Sequence, residues 1–219
     1  MTFDEKLYSE KKTDYYFQER EEMLKFIKPD VRFVLDVGCS SGGFGKLLKE
    51  KFNCVVWGVE PTSSAVEASV HLDKVYHDFF HSSLDFGNDK FDAVIFNDVL
   101  EHLTDPWEAL RYSKKIVKKN GYVVASIPNI QCYTVLKNLV IKGEWNYTSS
   151  GILDKTHLRF FTRKSIIQLF LDTGYEVIDL EGQNSVLNGS RFLKFMNFIM
   201  PKKINPFLFV NYAVCARSI

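Results

Sequence analysis

Val34–Gly45 reads VLDVGCSSGGFG: an apolar run, an acid, then a stretch studded with glycine. The run Arg32–Val37 (RFVLDV) has the length of a buried strand and ends in turn residues. Gly43–Phe52 follows with Leu47, Leu48 and Phe52 on one helical face. The glycines between strand and helix let the backbone approach a ligand, and a helix N-terminus favours an anionic group. A second apolar run, Cys54–Val59 (CVVWGV), leads to Glu60 and Pro61. An acid closing the second strand, about 20 residues after the glycine turn, stands where it can bond both hydroxyls of a ribose. Strand, turn, helix, strand and acid in this order point to a ligand that contains adenosine.

The rhythm continues outward. Thr62–Val70 reads as a helix with Thr62 as N-cap, and Lys74–His77 as a short strand. Phe91–Phe96 and Tyr122–Ile127 are further buried strands. Pro106–Val117 between them is a helix, with Pro106 suited to its first turn. Short strands apolar on both faces, alternating with helices, imply an α/β fold with helices on both faces of a parallel sheet. Beyond residue 130 the pattern changes. Gln131–Ile141 and Thr162–Asp172 read as helices, and Tyr175–Leu180 and Phe207–Ala216 as two closing strands. Gly143–Phe161 is an irregular loop of the kind that carries function over such a sheet. The expected organisation is one domain over residues 1–219. It divides into a polar helical flap (1–30), a ligand-binding core (31–130), and an acceptor loop with lid helices and closing strands (131–219).

Composition narrows the class. The chain has 219 residues, 28 Lys+Arg against 27 Asp+Glu, and 46% hydrophobic residues. Balanced charge disfavours a nucleic-acid partner. Cys39, Cys54, Cys132 and Cys215 form no C-x-x-C pair, so no metal is expected and the thiols read as reduced. The charged start, MTFDEKLYSEKKTDYY, lacks the apolar core of a signal peptide, and the longest uncharged run, Asn120–Leu136, is too short and polar to cross a bilayer. The expected location is cytoplasmic. Aromatic residues are in surplus, with 19 Phe and 10 Tyr.

Two ligand classes use the glycine-turn geometry. A dinucleotide fingerprint, G-x-G-x-x-G, fails at Ser40. An NAD(P)-binding reductase remains the reading of another class. Tyr133 and Lys137 have a reductase-like Tyr-x-x-x-Lys spacing, but the polar lead before the first strand and Phe44 in the loop oppose it. The chain resembles the class I S-adenosylmethionine-dependent methyltransferases. VLDVGCSSGGFG is similar to their first motif, WGVEPT to the acid motif, FDAVIFNDVLEHLTDPWEAL to the fourth strand and its helix, and GYVVASIPN to the fifth strand. The resemblance implies a Rossmann-like seven-stranded, mostly parallel sheet with an antiparallel closing strand. S-adenosylmethionine would be the cofactor and S-adenosylhomocysteine the product. It further implies that Asp36, Gly38, Cys39, Ser40 and Gly42 face the methionine part and that Glu60, with Pro61, holds the ribose. Asp78 and Phe79 would meet the adenine, and Asn97 would lie near the sulfonium. Tyr15, Tyr16 and Arg20 are candidates to fold over the cofactor.

Methyl transfer from a sulfonium chiefly requires alignment, but an alcohol acceptor must also lose a proton. His71, His77 and His81 are expected on an exposed rim, and His102 lies in LEHL after the fourth strand. His157 is the favoured base. Asp154 and Arg159 are its neighbours in GILDKTHLRFFT, as a steering carboxylate and an anion-binding cation. In an extended stretch His157 and Arg159 would share a face. The LDKTHLRFFT pattern, with Gly143, Trp145 and Tyr147 upstream, resembles a bacterial subgroup tied to saccharide and polysaccharide biosynthesis. That resemblance implies O-methylation of a sugar or glycan, and aromatic rings at 145 and 147 suit sugar packing. A small aromatic or quinone acceptor, or a lipid, is the alternative. Arg191–Met200, followed by Lys202 and Lys203, reads as a basic amphipathic helix. It suits a lid or a homodimer face, or peripheral membrane contact; the chain could be a monomer or a homodimer.

Overall fold

The computed structural model describes residues 20–201 and 205–219. Tyr15, Tyr16, Lys202 and Lys203 lie outside them. The decisive segment folds as β1 (Phe33–Val37) and α1 (Gly43–Phe52). There follow β2 (Val55–Val59), α2 (Ala65–His71), β3 (Lys74–Tyr76), β4 (Phe91–Asn97), α3 (Pro106–Ile116) and β5 (Val117–Pro128). The second half supplies α4 (Tyr133–Lys137), a π turn (Asn138–Lys142), α5 (Arg163–Asp172), β6 (Tyr175–Ser185), α6 (Arg191–Ile199) and β7 (Phe209–Ser218).

The seven strands form one sheet in the order β3-β2-β1-β4-β5-β7-β6. Neighbours from β3 to β5 pair in parallel. β7 inserts antiparallel between β5 and β6 and closes the sheet. This is the Rossmann-like, mostly parallel sheet with antiparallel closure that the resemblance implies.

Alternation along the strands builds two cores. On β4, Val94 and Phe96 point to one face, where Leu110 of α3 and Leu169 and Phe170 of α5 cover them. Ala93 and Ile95 point to the other, under Leu48 of α1, Ala68 of α2 and Met23 of the turn Glu21–Phe26. Much of the aromatic surplus is core. Phe80, Phe86, Phe91 and Tyr112 are buried on the first face, and Phe86 meets Phe91 edge-on at 5.4 Å between centroids.

Caps explain two helix starts. Asp105 accepts from Glu108 N at 2.9 Å, with Pro106 in the first turn. Thr162 and Ser165 form a reciprocal capping box at α5. Thr62 does not cap α2, which begins at Ala65 after Ser64. Its hydroxyl is committed to Glu60 at 2.6 Å. β5 starts five residues earlier than its apolar run, because Val117 pairs with Phe91 and Lys118 binds Asp92 at 2.6 Å.

Candidate active site

The carboxyl ends of β1, β2 and β4 open into a cavity of about 890 Å³, the place where open α/β sheets bind ligands. The turn after β1 is held by Gly38 N and Cys39 N, which both donate to Val59 O at 2.8 and 3.2 Å. Gly38 has φ of +69°, and a Cβ there would stand 2.6 Å from Val99 Cγ2. Only glycine fits that position without strain. Ser40 takes the left-handed region too, at φ 51°. Its N–H donates to Glu60 Oε2 at 2.9 Å, while Thr62 N–H and Oγ1 donate to Glu60 Oε1. The second-strand acid is therefore fixed in orientation from both sides at the cavity wall.

Asp36 lines the cavity at the end of β1, 2% exposed. Burial, and then the charge of Glu60, push its carboxyl up to about 7. Burial and the two acids also raise the Cys39 thiol, which removes it as a nucleophile near neutral pH. Asn97, at the end of β4, lines the same cavity, and its buried amide atoms have no hydrogen-bond partner among the described residues. Pro61, Phe79 and Arg20 also face the cavity, and Arg20 ion-pairs with Asp98.

Two expected cofactor residues stand outside the lining. Gly42, at φ +85°, lets α1 approach α2; a Cβ there would lie 3.1 Å from Ala68 Cα. Asp78 is exposed, accepts from Phe79 N–H at 2.7 Å and faces His81 Nε2 at 3.7 Å. Tyr16 lies outside the described residues.

At the acceptor end the loop 143–161 folds onto the turn Leu100–His102. Leu158 N and Arg159 N both donate to Glu101 O, at 2.8 and 3.0 Å. Two successive N–H groups on one carbonyl are not a strand, so His157 and Arg159 diverge rather than share a face. His157, 9% exposed, lines the cavity, whereas the Arg159 guanidinium turns outward to Thr104 O. Asp154 is buried and accepts from Thr156 N and Oγ1 at 2.9 and 2.7 Å, which shapes the loop. The carboxylate facing the His157 ring is Glu101, with Oε1 3.9 Å from Nε2. His102 stacks edge-on against His157 at 4.7 Å. Trp145 packs on Phe160 and Tyr147 is exposed, both off the cavity lining. Glu101, buried at the cavity wall beside both rings, is a candidate that sequence reasoning did not single out. A carboxylate beside His102 was the available signal, but only the folded loop shows its burial.

Residues 8–180 match the family model described as Methyltransferase domain. The chain belongs to that family. An uncharacterized methyltransferase of Schizosaccharomyces pombe is 35% identical over 118 residues, 46% of this chain and 41% of its own length. A ubiquinone biosynthesis O-methyltransferase of Bradyrhizobium diazoefficiens is 30% identical over 105 residues, 44% and 40% of the two chains. These matches thus span less than half of either relative. A SAM-dependent methyltransferase of Archaeoglobus fulgidus shares the fold, with TM-score 0.65, 20% identity and coverage of 98% and 95%. The cavity of this methyltransferase fits S-adenosylmethionine as cofactor. It offers a turn that a Cβ would fill, an oriented acid, a buried second acid and an amide awaiting a partner.

Proposed function

We propose that this methyltransferase transfers a methyl group from S-adenosylmethionine to a hydroxyl of a small ring-bearing acceptor. The observation that carries the reading is the His157–His102–Glu101 cluster, which faces the same cavity as the Gly38 turn and Asn97. S-adenosylmethionine, when bound, supplies a methyl made electrophilic by its sulfonium. Glu60, already oriented by Ser40 and Thr62, accepts from the ribose hydroxyls. Asp36 pairs with the cofactor's ammonium, beside the turn of Gly38, Cys39 and Ser40. Asn97 bonds the amino-acid part, and Phe79 and Pro61 flank the base. His157 activates the acceptor oxygen, with Asp154 and Arg159 holding its loop in place.

The named function of the Bradyrhizobium relative supports a phenolic, quinol-type acceptor. The saccharide reading keeps the LDKTHLRFFT motif in its favour, but Trp145 and Tyr147 are not among the residues that line the cavity, and Trp145 packs on Phe160. Thermal unfolding tests the cofactor. S-adenosylhomocysteine at about 100 times its Kd should stabilise the protein by about 2.7 kcal/mol, and Glu60→Ala should lose most of that shift. Stabilisation by NADH and not by S-adenosylhomocysteine would sink the reading. Labelled methyl transfer to a catechol, set against a hexose glycoside, decides the acceptor class; product on the glycoside alone moves it to saccharides.

α6 supports delivery of an apolar acceptor from an anionic lipid surface. Phe192, Phe195 and Phe198 are 55%, 61% and 86% exposed, and Tyr133 of α4 meets Phe192 at 6.2 Å. Val140 and Ile141 of the π turn that follows α4 are also exposed, and exposed Lys137, Lys142, Arg191 and Lys194 lie on the same elements. An apolar face bordered by cations matches anionic headgroups over acyl chains. Phe195→Asp with Phe198→Asp should abolish co-sedimentation with phosphatidylglycerol vesicles; equal sedimentation of wild type and variant removes the lipid surface.

A further inference from the structure

Glu101, His102 and His157 each turn one potential ligand atom toward the others, and these three atoms lie within 4.8 Å of one another. Their ring tautomers are set by the backbone. His102 Nδ1 lies 3.1 Å from Thr156 O, and His157 Nδ1 lies 2.9 Å from Ile152 O. A carbonyl can only accept, so each Nδ1 carries the hydrogen, and in the neutral form of either ring the lone pair is at Nε2. A backbone carbonyl behind Nδ1 is the arrangement that orients metal-binding histidines. The carboxylate is 1% exposed and sits at the cavity wall beside both rings.

The two backbone segments that carry the cluster are also tied to each other. Glu101 O takes the N–H groups of Leu158 and Arg159, which fastens the His157 loop to the Glu101–His102 turn. The His157 Nε2 to Glu101 Oε1 separation is 3.9 Å. Two ligands about 2.1 Å from one ion stand about 3 Å apart at a right angle. Side-chain torsion of the two groups closes that difference.

We propose that Glu101, His102 and His157 hold a divalent cation that binds the acceptor through two adjacent oxygens. Two imidazoles and a carboxylate suit a first-row divalent ion such as Mn²⁺ or Zn²⁺. Three protein ligands leave coordination positions open on the cavity side. A vicinal dihydroxy acceptor, a catechol or a cis-diol, fills two of them. With the cation in place His157 acts through it and not as a base: the cation lowers the proton affinity of the bound hydroxyl, whose proton passes to solvent water. The oxygen's electron pair then forms the new O–C bond, and the pair of the broken C–S bond stays on sulfur. The acceptor part of this inference rests on the methyl-transfer reading above; the cation site does not.

The test separates the two. Wild-type protein is stripped with EDTA, dialysed, and titrated with MnCl₂ while free Mn²⁺ is followed by its paramagnetic resonance; ZnCl₂ and MgCl₂ follow by calorimetry. One ion per chain is expected. Glu101→Gln and His102→Asn should each weaken it by about tenfold or more, with unchanged circular dichroism and an unchanged thermal shift from S-adenosylhomocysteine. Catechol should tighten Mn²⁺ binding where phenol does not. No binding of any of the three ions at about 1 mM, or equal binding by both variants, overturns the site. Cation binding without any response to S-adenosylhomocysteine would leave the site standing and sink the methyl-transfer reading.

Discussion

Asp36→Asn is expected to make the cofactor-free protein more stable and its cofactor binding weaker. Two opposite effects from one substitution follow from where the acid sits. Its carboxyl is buried and lies near Glu60, which together hold it up at about 7 against an ordinary 3.8. In the unfolded chain the group ionises as pH passes about 4; in the folded protein it keeps its proton until about 7. The folded state thus loses relative stability as pH rises between those values, and the loss is complete above 7. Three pKa units correspond to about 4 kcal/mol. An amide of the same shape carries no charge to bury and recovers much of that above neutrality. At about 2–4 °C per kcal/mol for a domain of this size, the melting temperature should rise on the order of 10 °C at about pH 8.

Cofactor binding responds the other way. A buried charged hydrogen bond contributes about 1.5–3 kcal/mol, so the Asp36→Asn variant should bind S-adenosylhomocysteine about tenfold to a hundredfold more weakly. The wild-type affinity should increase as pH rises through 7, where Asp36 gives up its proton and can pair with the ligand's ammonium. The variant should show no such rise. Calorimetry on either side of neutrality checks both statements. A variant that is less stable, or a wild-type affinity that is flat with pH, would remove Asp36 as the ammonium's partner.

The cofactor half of the site is legible in the sequence because its chemistry is local. A glycine at the end of β1 and an acid at the end of β2 are separated by one helix, and their order alone places them at one sheet edge. Residue-level detail is less legible. Thr62 looks like an N-cap in sequence, yet its hydroxyl has a stronger partner two residues back in Glu60. Gly42 looks like part of a ligand turn, yet its missing side chain serves the approach of α1 to α2. The aromatic surplus divides in a way composition could not show, between rings buried around β4 and rings exposed along α6.

The acceptor half depends on contacts between residues more than fifty positions apart. Sequence sets Asp154 beside His157 because they are neighbours in the chain. In the fold Asp154 accepts from Thr156 and lines the same cavity, and a second acid, Glu101 from the turn after β4, stands 3.9 Å from His157 Nε2. Unpaired cysteines give no reason to expect a metal, but that test is blind to two histidines and a glutamate brought together by loop packing.

His157→Ala should lower kcat by about a hundredfold or more while S-adenosylhomocysteine binds as in wild type. The ring reaches the cavity from the acceptor loop, whereas the Gly38 turn is held by Val59 O and Glu60 by Ser40 and Thr62. The loss is therefore expected on the acceptor step. Arg159→Ala provides the contrast. Its guanidinium is outside the cavity on Thr104 O, while its backbone N–H, which pins the loop to Glu101, survives the substitution. The expected loss is under about tenfold, seen as raised KM for the acceptor rather than lowered kcat. If a histidine and an arginine close in sequence acted together on the acceptor, the two variants would fall by similar factors. The diverging side chains predict that they do not, and steady-state kinetics on the two purified variants decides between a site built from neighbours in sequence and one built by folding the loop onto β4.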